Sequence, residues 1–236
     1  MSGSSISKIS LHGVSKVFGS VVALRGVDVT FETGETSIVV GHNGAGKSTL
    51  LSIVATLTRP TTGEVLYDGE TGARLGSKLR GAIGYAAESP LGYAELTGRE
   101  NILLGARAHG LDDPEGRTAE VVALLGLSDV ATRPTRGYSL GELRRLALAK
   151  ALVHTPAVLL LDEPTAGLDL MGASRLAKLI ANRAGEGALV IISTHDPWLG
   201  AELGGRVVTL EAGTISDVGR APEDEAAWRE MLGAPP

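Results

Sequence analysis

The sequence predicts an α/β fold with a mainly parallel sheet, an N-terminal antiparallel β subdomain and an inserted α-helical subdomain. Three observations carry that prediction. A glycine-rich stretch, Gly41–Thr49, follows the β-branched run Ser37-Ile38-Val39-Val40 and precedes a helix-compatible apolar run from Ser48 to Thr58. Ala157-Val158-Leu159-Leu160-Leu161 is apolar throughout and turns acidic only at Asp162-Glu163, as a strand buried on both faces does. Between the two, about residues 92–153 change to helical patterning, opened by capping boxes.

Taken in order, the first 36 residues alternate apolar and polar (Ile9, Leu11, Val14; Val21, Ala23, Leu24; Val27, Val29, Phe31), with glycines at 13, 19, 26 and 34. They predict a small antiparallel sheet leading into the glycine-rich stretch, with Phe18 in a turn between two strands. Glu64–Gly69 reads as a strand ending in an Asp-Gly turn, and Ile83–Ala87 as a further short strand. Thr97-Gly98-Arg99-Glu100 is a capping box opening a helix to about His109. Asp113-Pro114 supplies an N-cap and a first-turn proline for a second helix through Leu125. Ser139-Leu140-Gly141-Glu142 is a second capping box, opening a helix to about Val153. After the acidic strand come a helix over about 170–184, a strand Leu189–Ser193, a short helix after Pro197, a hairpin turning at Gly213 and one amphipathic tail helix. The expected division is a catalytic core with its β subdomain (about 1–91 and 154–220), a helical subdomain (about 92–153) and a tail (about 221–236).

Gly41-His42-Asn43-Gly44-Ala45-Gly46-Lys47-Ser48-Thr49 fits G-x-x-x-x-G-K-[ST] in the strand–loop–helix context that pattern requires. Glycines let the backbone curl until its N–H groups point at phosphate oxygens, and the helix that follows adds the positive end of its dipole. Lys47 is placed to reach the β- and γ-phosphates and the Ser48 hydroxyl to hold Mg²⁺. The core is therefore of the P-loop NTPase type. Asp162, at the carboxyl end of a buried strand, is where a Mg²⁺-holding carboxylate belongs, and Glu163 beside it can accept a proton from the attacking water.

Composition bounds the rest. The 236 residues are 43% hydrophobic and 21% charged, which is ordinary for a globular protein. A net charge of −5 with no basic block argues against nucleic acid as the main partner. The absence of cysteine excludes disulfides and thiolate metal sites. No apolar run approaches the roughly 20 residues needed to span a bilayer, and Met1–Ser5 begin no secretory signal. The expected location is cytoplasmic, with any membrane role exercised through a partner.

The order of Gly41–Thr49, Tyr138-Ser139-Leu140-Gly141-Glu142, Leu159–Thr165, Gly167-Leu168-Asp169 and Ser193-Thr194-His195-Asp196 resembles the ATP-binding subunit of an ABC transporter over about residues 6–220. The resemblance implies an ATP hydrolase that works with Mg²⁺, closes as a homodimer on ATP, and drives a separate transmembrane permease from the inner face of the membrane. By the same resemblance Phe18 stacks on adenine, and Ser139 and Gly141 contact the γ-phosphate of ATP held by the opposite copy. Asp169 lies at the dimer interface, and His195 bonds the γ-phosphate or the attacking water. Glu88 stands where the family usually has a glutamine whose oxygen touches Mg²⁺, a replacement resembling export-type subunits. Leu140 and Glu142 likewise replace a glycine and a glutamine of the usual signature, while Lys47, Asp162, Glu163 and His195 are all kept. The implied cargo candidates are those of small exporters: haem for cytochrome c maturation, drugs or lipids. A soluble ATPase of the same family acting on ribosomes or DNA, and a non-hydrolysing ATP sensor, are the alternatives.

Overall fold

The structure is a computed structural model that describes residues 6–87 and 92–233. The chain begins with two long antiparallel strands, β1 (Lys8–Phe18) and β2 (Val21–Glu32), joined through Gly19-Ser20. Phe18 thus closes β1, paired with Val21, rather than sitting in the turn itself. β3 (Thr36–Val40) leads into the phosphate loop, and α1 (Lys47–Val54) leaves it. α1 stops four residues short of the expected Thr58, because Thr56 adopts a left-handed φ of +61° and the amides of Leu57 and Thr58 fold back onto the Ser52 carbonyl.

β4 (Thr62–Tyr67) ends in the expected Asp-Gly turn, with Asp68 and Gly69 both at positive φ, and β5 (Glu70–Thr71) returns from it to close a hairpin. Two short helices the sequence did not announce, α2 (Gly72–Leu75) and α3 (Ser77–Ala82), precede β6 (Ile83–Ala86). They bury little apolar surface, α2 none, so they carry no strong periodicity to read. The helical block is α4 (Gly98–Ala108), α5 (Pro114–Leu124) and α6 (Leu140–Leu152), and both predicted capping boxes are formed.

β7 (Val158–Asp162), α7 (Leu170–Gly185), β8 (Leu189–Ser193), α8 (Pro197–Leu203), β9 (Arg206–Glu211), β10 (Thr214–Arg220) and α9 (Glu225–Leu232) complete the chain. The tail helix α9 is anchored by Trp228, fully buried against Gly200 of α8 and donating its indole N–H to the Pro222 carbonyl.

Two sheets result: an antiparallel one ordered β2-β1-β4-β5 and a six-stranded one ordered β10-β9-β3-β8-β7-β6, parallel except for β10. Every residue of β3, β7 and β8 is buried. Their side chains alternate between two cores: Ile38, Leu159, Leu161, Val190 and Ile192 meet the helical side, whereas Val39, Leu160 and Ile191 meet α1 and the antiparallel sheet. The register pairs Asp162 with Ser193 and Val39 with Ser193. The carboxyl ends of the three central strands therefore open at one place, where open α/β sheets bind ligands.

Candidate active site

The phosphate loop grows from β3, and two of its glycines are required by close approach. A Cβ on Gly41 (φ +146°) would lie 2.1 Å from the Leu210 carbonyl oxygen, and one on Gly46 (φ +110°) 2.6 Å from that of Ala23. α1 begins at Lys47 with no side-chain cap, so its first amides are left for an anion. Lys47 is buried, its Nζ donating to the Gly41 carbonyl at 2.7 Å and the His42 carbonyl at 3.4 Å. The same Nζ lies 4.0 Å from Glu163 Oε1.

At the mouth of β7, Asp162 is buried and accepts a hydrogen bond from the Ser193 hydroxyl. Burial, together with the negative charge of Asp162, pushes the Tyr85 phenol on the neighbouring strand β6 up to about 12. Glu163 adopts a left-handed φ of +49°, an uncommon conformation for a non-glycine residue. Its amide donates to both the carbonyl (3.1 Å) and the hydroxyl (3.2 Å) of Ser193, which hold that turn. Its Oε2 accepts from the His195 amide at 3.3 Å and stands 2.9 Å from His195 Nδ1. Behind them Thr165 donates to Asp196, which caps α8. Glu163 is thus held between a lysine and a histidine, with one oxygen toward each.

These groups line one cleft of about 370 Å³ with Asn43–Thr49 and the β2 residues Val21, Val22 and Ala23. That volume is at the small-molecule scale. Of two larger clefts, the one of about 520 Å³ beside α5 and α7 has its carboxylates, Glu120 and Glu186, in ion pairs with Arg117 and Arg183, and the one of about 550 Å³ beside α1 and β4 has a single carboxylate, Glu64; neither contains the phosphate loop. Chemistry, not volume, selects the site.

The structure brings together the phosphate loop (Gly41 to Thr49, including His42, Asn43, Gly44 and Ala45), Asp162, Glu163 and His195. It leaves Ser139, Gly141 and Asp169 outside the cleft. Ser139 caps α6 and Asp169 caps α7, the latter accepting from the Gly172 amide at 2.7 Å. Gly141 sits against the 167 turn, where a Cβ would come 2.7 Å from the Gly167 carbonyl oxygen. Phe18 is half exposed across the strand pair from Val21 of the cleft wall, with Lys16 Nζ 4.8 Å above its ring. Glu88 lies outside the described residues. Sequence reasoning missed Val21–Ala23 as cleft wall and Ser193 as the hydroxyl that joins Asp162 to Glu163. The two valines read as strand core, and only their place beside Gly19-Ser20 hinted that they were exposed.

Comparison with known proteins agrees with this geometry. Residues 24–166 match the ABC transporter family. The lipoprotein-releasing system ATP-binding protein LolD of Bacteroides thetaiotaomicron is 37% identical over 215 residues, 88% of this chain and 98% of that protein. The daunorubicin resistance ATP-binding protein DrrA3 of Streptomyces coeruleorubidus is 34% identical, with 92% of this chain and 70% of that one covered. The cobalt import ATP-binding protein CbiO of Rhodobacter capsulatus is 37% identical, covering 86% and 75%. Among solved structures, the dimeric ATP-binding cassette MJ0796 in a post-hydrolysis state with ADP and Pi superposes with a TM-score of 0.82 at 27% identity, covering 90% of this chain and 98% of that one.

Proposed function

This chain belongs to the ABC transporter family as an ATP-binding, ATP-hydrolysing subunit, and on that premise we propose that two copies close on two ATP molecules to drive a separate export permease. The observation that carries the proposal is the convergence of Lys47, Asp162, Glu163 and His195 on the cleft of the phosphate loop.

In this reading the loop amides and Lys47 hold the triphosphate, and Lys47 exchanges its contacts with loop carbonyls for phosphate oxygens. Glu163 takes the proton of the attacking water, and His195 orients the carboxylate through Oε2. The donors facing the cleft at Ser48 and Asp162 are a hydroxyl and a carboxylate, an oxygen set suited to Mg²⁺. Ser48 and Asp162 would hold Mg²⁺, with Glu88 as a further oxygen donor. The ion would neutralise charge on the phosphates. Ser139, Gly141 and Asp169 act on the partner copy's nucleotide, and Phe18 stacks on the base beside Val21 and Val22.

No helix among the described residues is long and apolar enough to cross a membrane; in this reading the energy is delivered to a separate membrane partner. The helical subdomain of about 92–153, with the residues from Glu88 to about Glu100 that lead into it, is the docking surface we assign; the exposure of Tyr93 and Leu104 supports this. The export direction rests on Glu88, with lipid, drug or haem as cargo classes. Relatives at similar identity are named for lipoprotein release, drug resistance and cobalt import. Reconstitution with the co-purified permease decides direction, and accumulation of cargo on the nucleotide side would overturn export.

The direct test of the ATP cycle is Glu163→Gln. It should still bind ATP, lose about 10²–10⁴-fold in turnover and accumulate as an ATP-dependent dimer by light scattering. Monomers at saturating ATP would sink the closing-dimer mechanism.

A further inference from the structure

The cleft has two walls from two different sheets: Val21–Ala23 from β2 in the antiparallel sheet, and the phosphate loop from β3 in the parallel one. Strand pairing does not fix the distance between them. The tip of the β9–β10 hairpin does, at Ala212 and Gly213, both at positive φ (+46° and +84°). The Gly213 carbonyl accepts from the Arg25 amide of β2 at 2.8 Å, and the Gly213 amide donates to the Ala45 carbonyl of the loop at 3.0 Å. One residue thus bridges both walls.

The fit leaves no room for a side chain. A Cβ on Gly213 would lie 2.8 Å from the Ala23 carbonyl oxygen and 3.2 Å from Leu24 Cα. On the same hairpin Leu210 presses its carbonyl on Gly41 and its side chain on Gly46, which itself abuts the Ala23 carbonyl. Loop, β2 and hairpin meet backbone to backbone, and such contacts cannot yield by rotating a side chain.

We propose that Gly213 is a positioning residue that sets the spacing between the nucleoside wall and the phosphate loop, so that it governs binding of the whole nucleotide rather than of its triphosphate. The inference rests on the reading of the cleft as an ATP site. A nucleotide touches both walls at once, whereas inorganic tripolyphosphate touches the loop alone. Displacing β2 from the loop therefore costs the first ligand and spares the second.

The test compares ATP and tripolyphosphate binding by calorimetry on the full chain carrying Gly213→Ala or Gly213→Asn. Asparagine tolerates positive φ better than alanine, which separates backbone strain from the Cβ collision. Both variants should weaken ATP about 10-fold or more, as misplacements near 1 Å do, and change tripolyphosphate less than about 2-fold. Equal losses for both ligands, or no loss in a folded variant, overturn the inference and leave the ATP reading standing. Wild-type protein that binds tripolyphosphate but not ATP rejects both. Should neither variant fold, amide exchange in the wild type decides: ATP must slow exchange at Arg25 and Gly213, and tripolyphosphate must leave Arg25 unchanged. Equal protection of Arg25 by the two ligands overturns the inference.

Discussion

The cleft and the surface formed by the starts of α6 and α7, to which we assign parts of one reaction, are built in opposite ways. In the cleft Lys47 and Glu163 are each 8% exposed, and each is held by groups of the same chain. On the other surface Ser139 has spent its side chain on a capping box, and Leu140, Leu170 and Met171 stand 58%, 73% and 64% exposed. The first region is held in place within one chain. The second presents apolar side chains beside helix starts that meet no ligand of their own chain, the composition expected of a surface that another copy covers.

The largest effect expected from this contrast is a complementation between two inactive chains. Lys47→Ala damages only the cleft, and Ser139→Arg only the opposing surface. Each alone should lose about 10²-fold or more in ATP turnover, as when a charged transition-state contact is removed. Mixed, they form some dimers in which one intact cleft faces one intact surface, and turnover should partly return. A mixture no more active than its components would break the comparison, because it would place both sets of residues in the same chain's site.

A smaller effect concerns the joint between the helical block and the parallel sheet, and it is set by acid. His154, just past α6, stacks on His109 with ring centroids 3.7 Å apart. Its Nε2 donates to the Ile83 carbonyl at the start of β6, while Nδ1 has no partner. Burial, with help from His109 and Arg117, pushes its pKa down to about 4 from 6.5. In the unfolded chain the same ring titrates near 6.5, so between these values the unfolded state holds more protons and stability falls as pH falls. From about pH 7 to about pH 5 the loss should be about 2 kcal/mol, read from urea unfolding. His154→Phe keeps a stacked ring and should flatten that slope; an unchanged slope would assign the loss to other groups.

What the sequence made legible was whatever is local. The phosphate loop, the two capping boxes and the Asp-Gly turn are short patterns whose residues contact one another, and each stands where it was expected. The alternation of β3, β7 and β8 between two cores was legible as unbroken apolar runs, although not which residue faced which core. Val21 and Val22 were not, because they become cleft wall only when β2 is set against a loop more than twenty residues away in sequence. Ser193 was likewise silent, since a serine ending a strand gives no sign that it lies in register with Asp162. Long-range pairing creates those roles, and one sequence does not display pairing.

The smallest effect separates a cap from a site, and it is the sharpest use of the contrast. Asp113 and Asp169 do the same local work: each caps a helix by accepting from the amide three residues on, at Gly116 (2.9 Å) and Gly172 (2.7 Å). Replacing either by alanine should cost about 1 kcal/mol of stability. If capping were all that Asp169 did, the two variants would match in every assay. The surface reading requires them to differ: Asp113→Ala should leave turnover per folded chain unchanged, whereas Asp169→Ala should lower it and weaken the ATP-dependent dimer of the Glu163→Gln background. Asp113 sits on the helical block away from Leu170 and Met171, so a shared loss of dimer would mean that helix stability alone sets closure. A loss confined to Asp169 would mean that its carboxylate acts across the interface, which the hydrogen bond to Gly172 alone does not require.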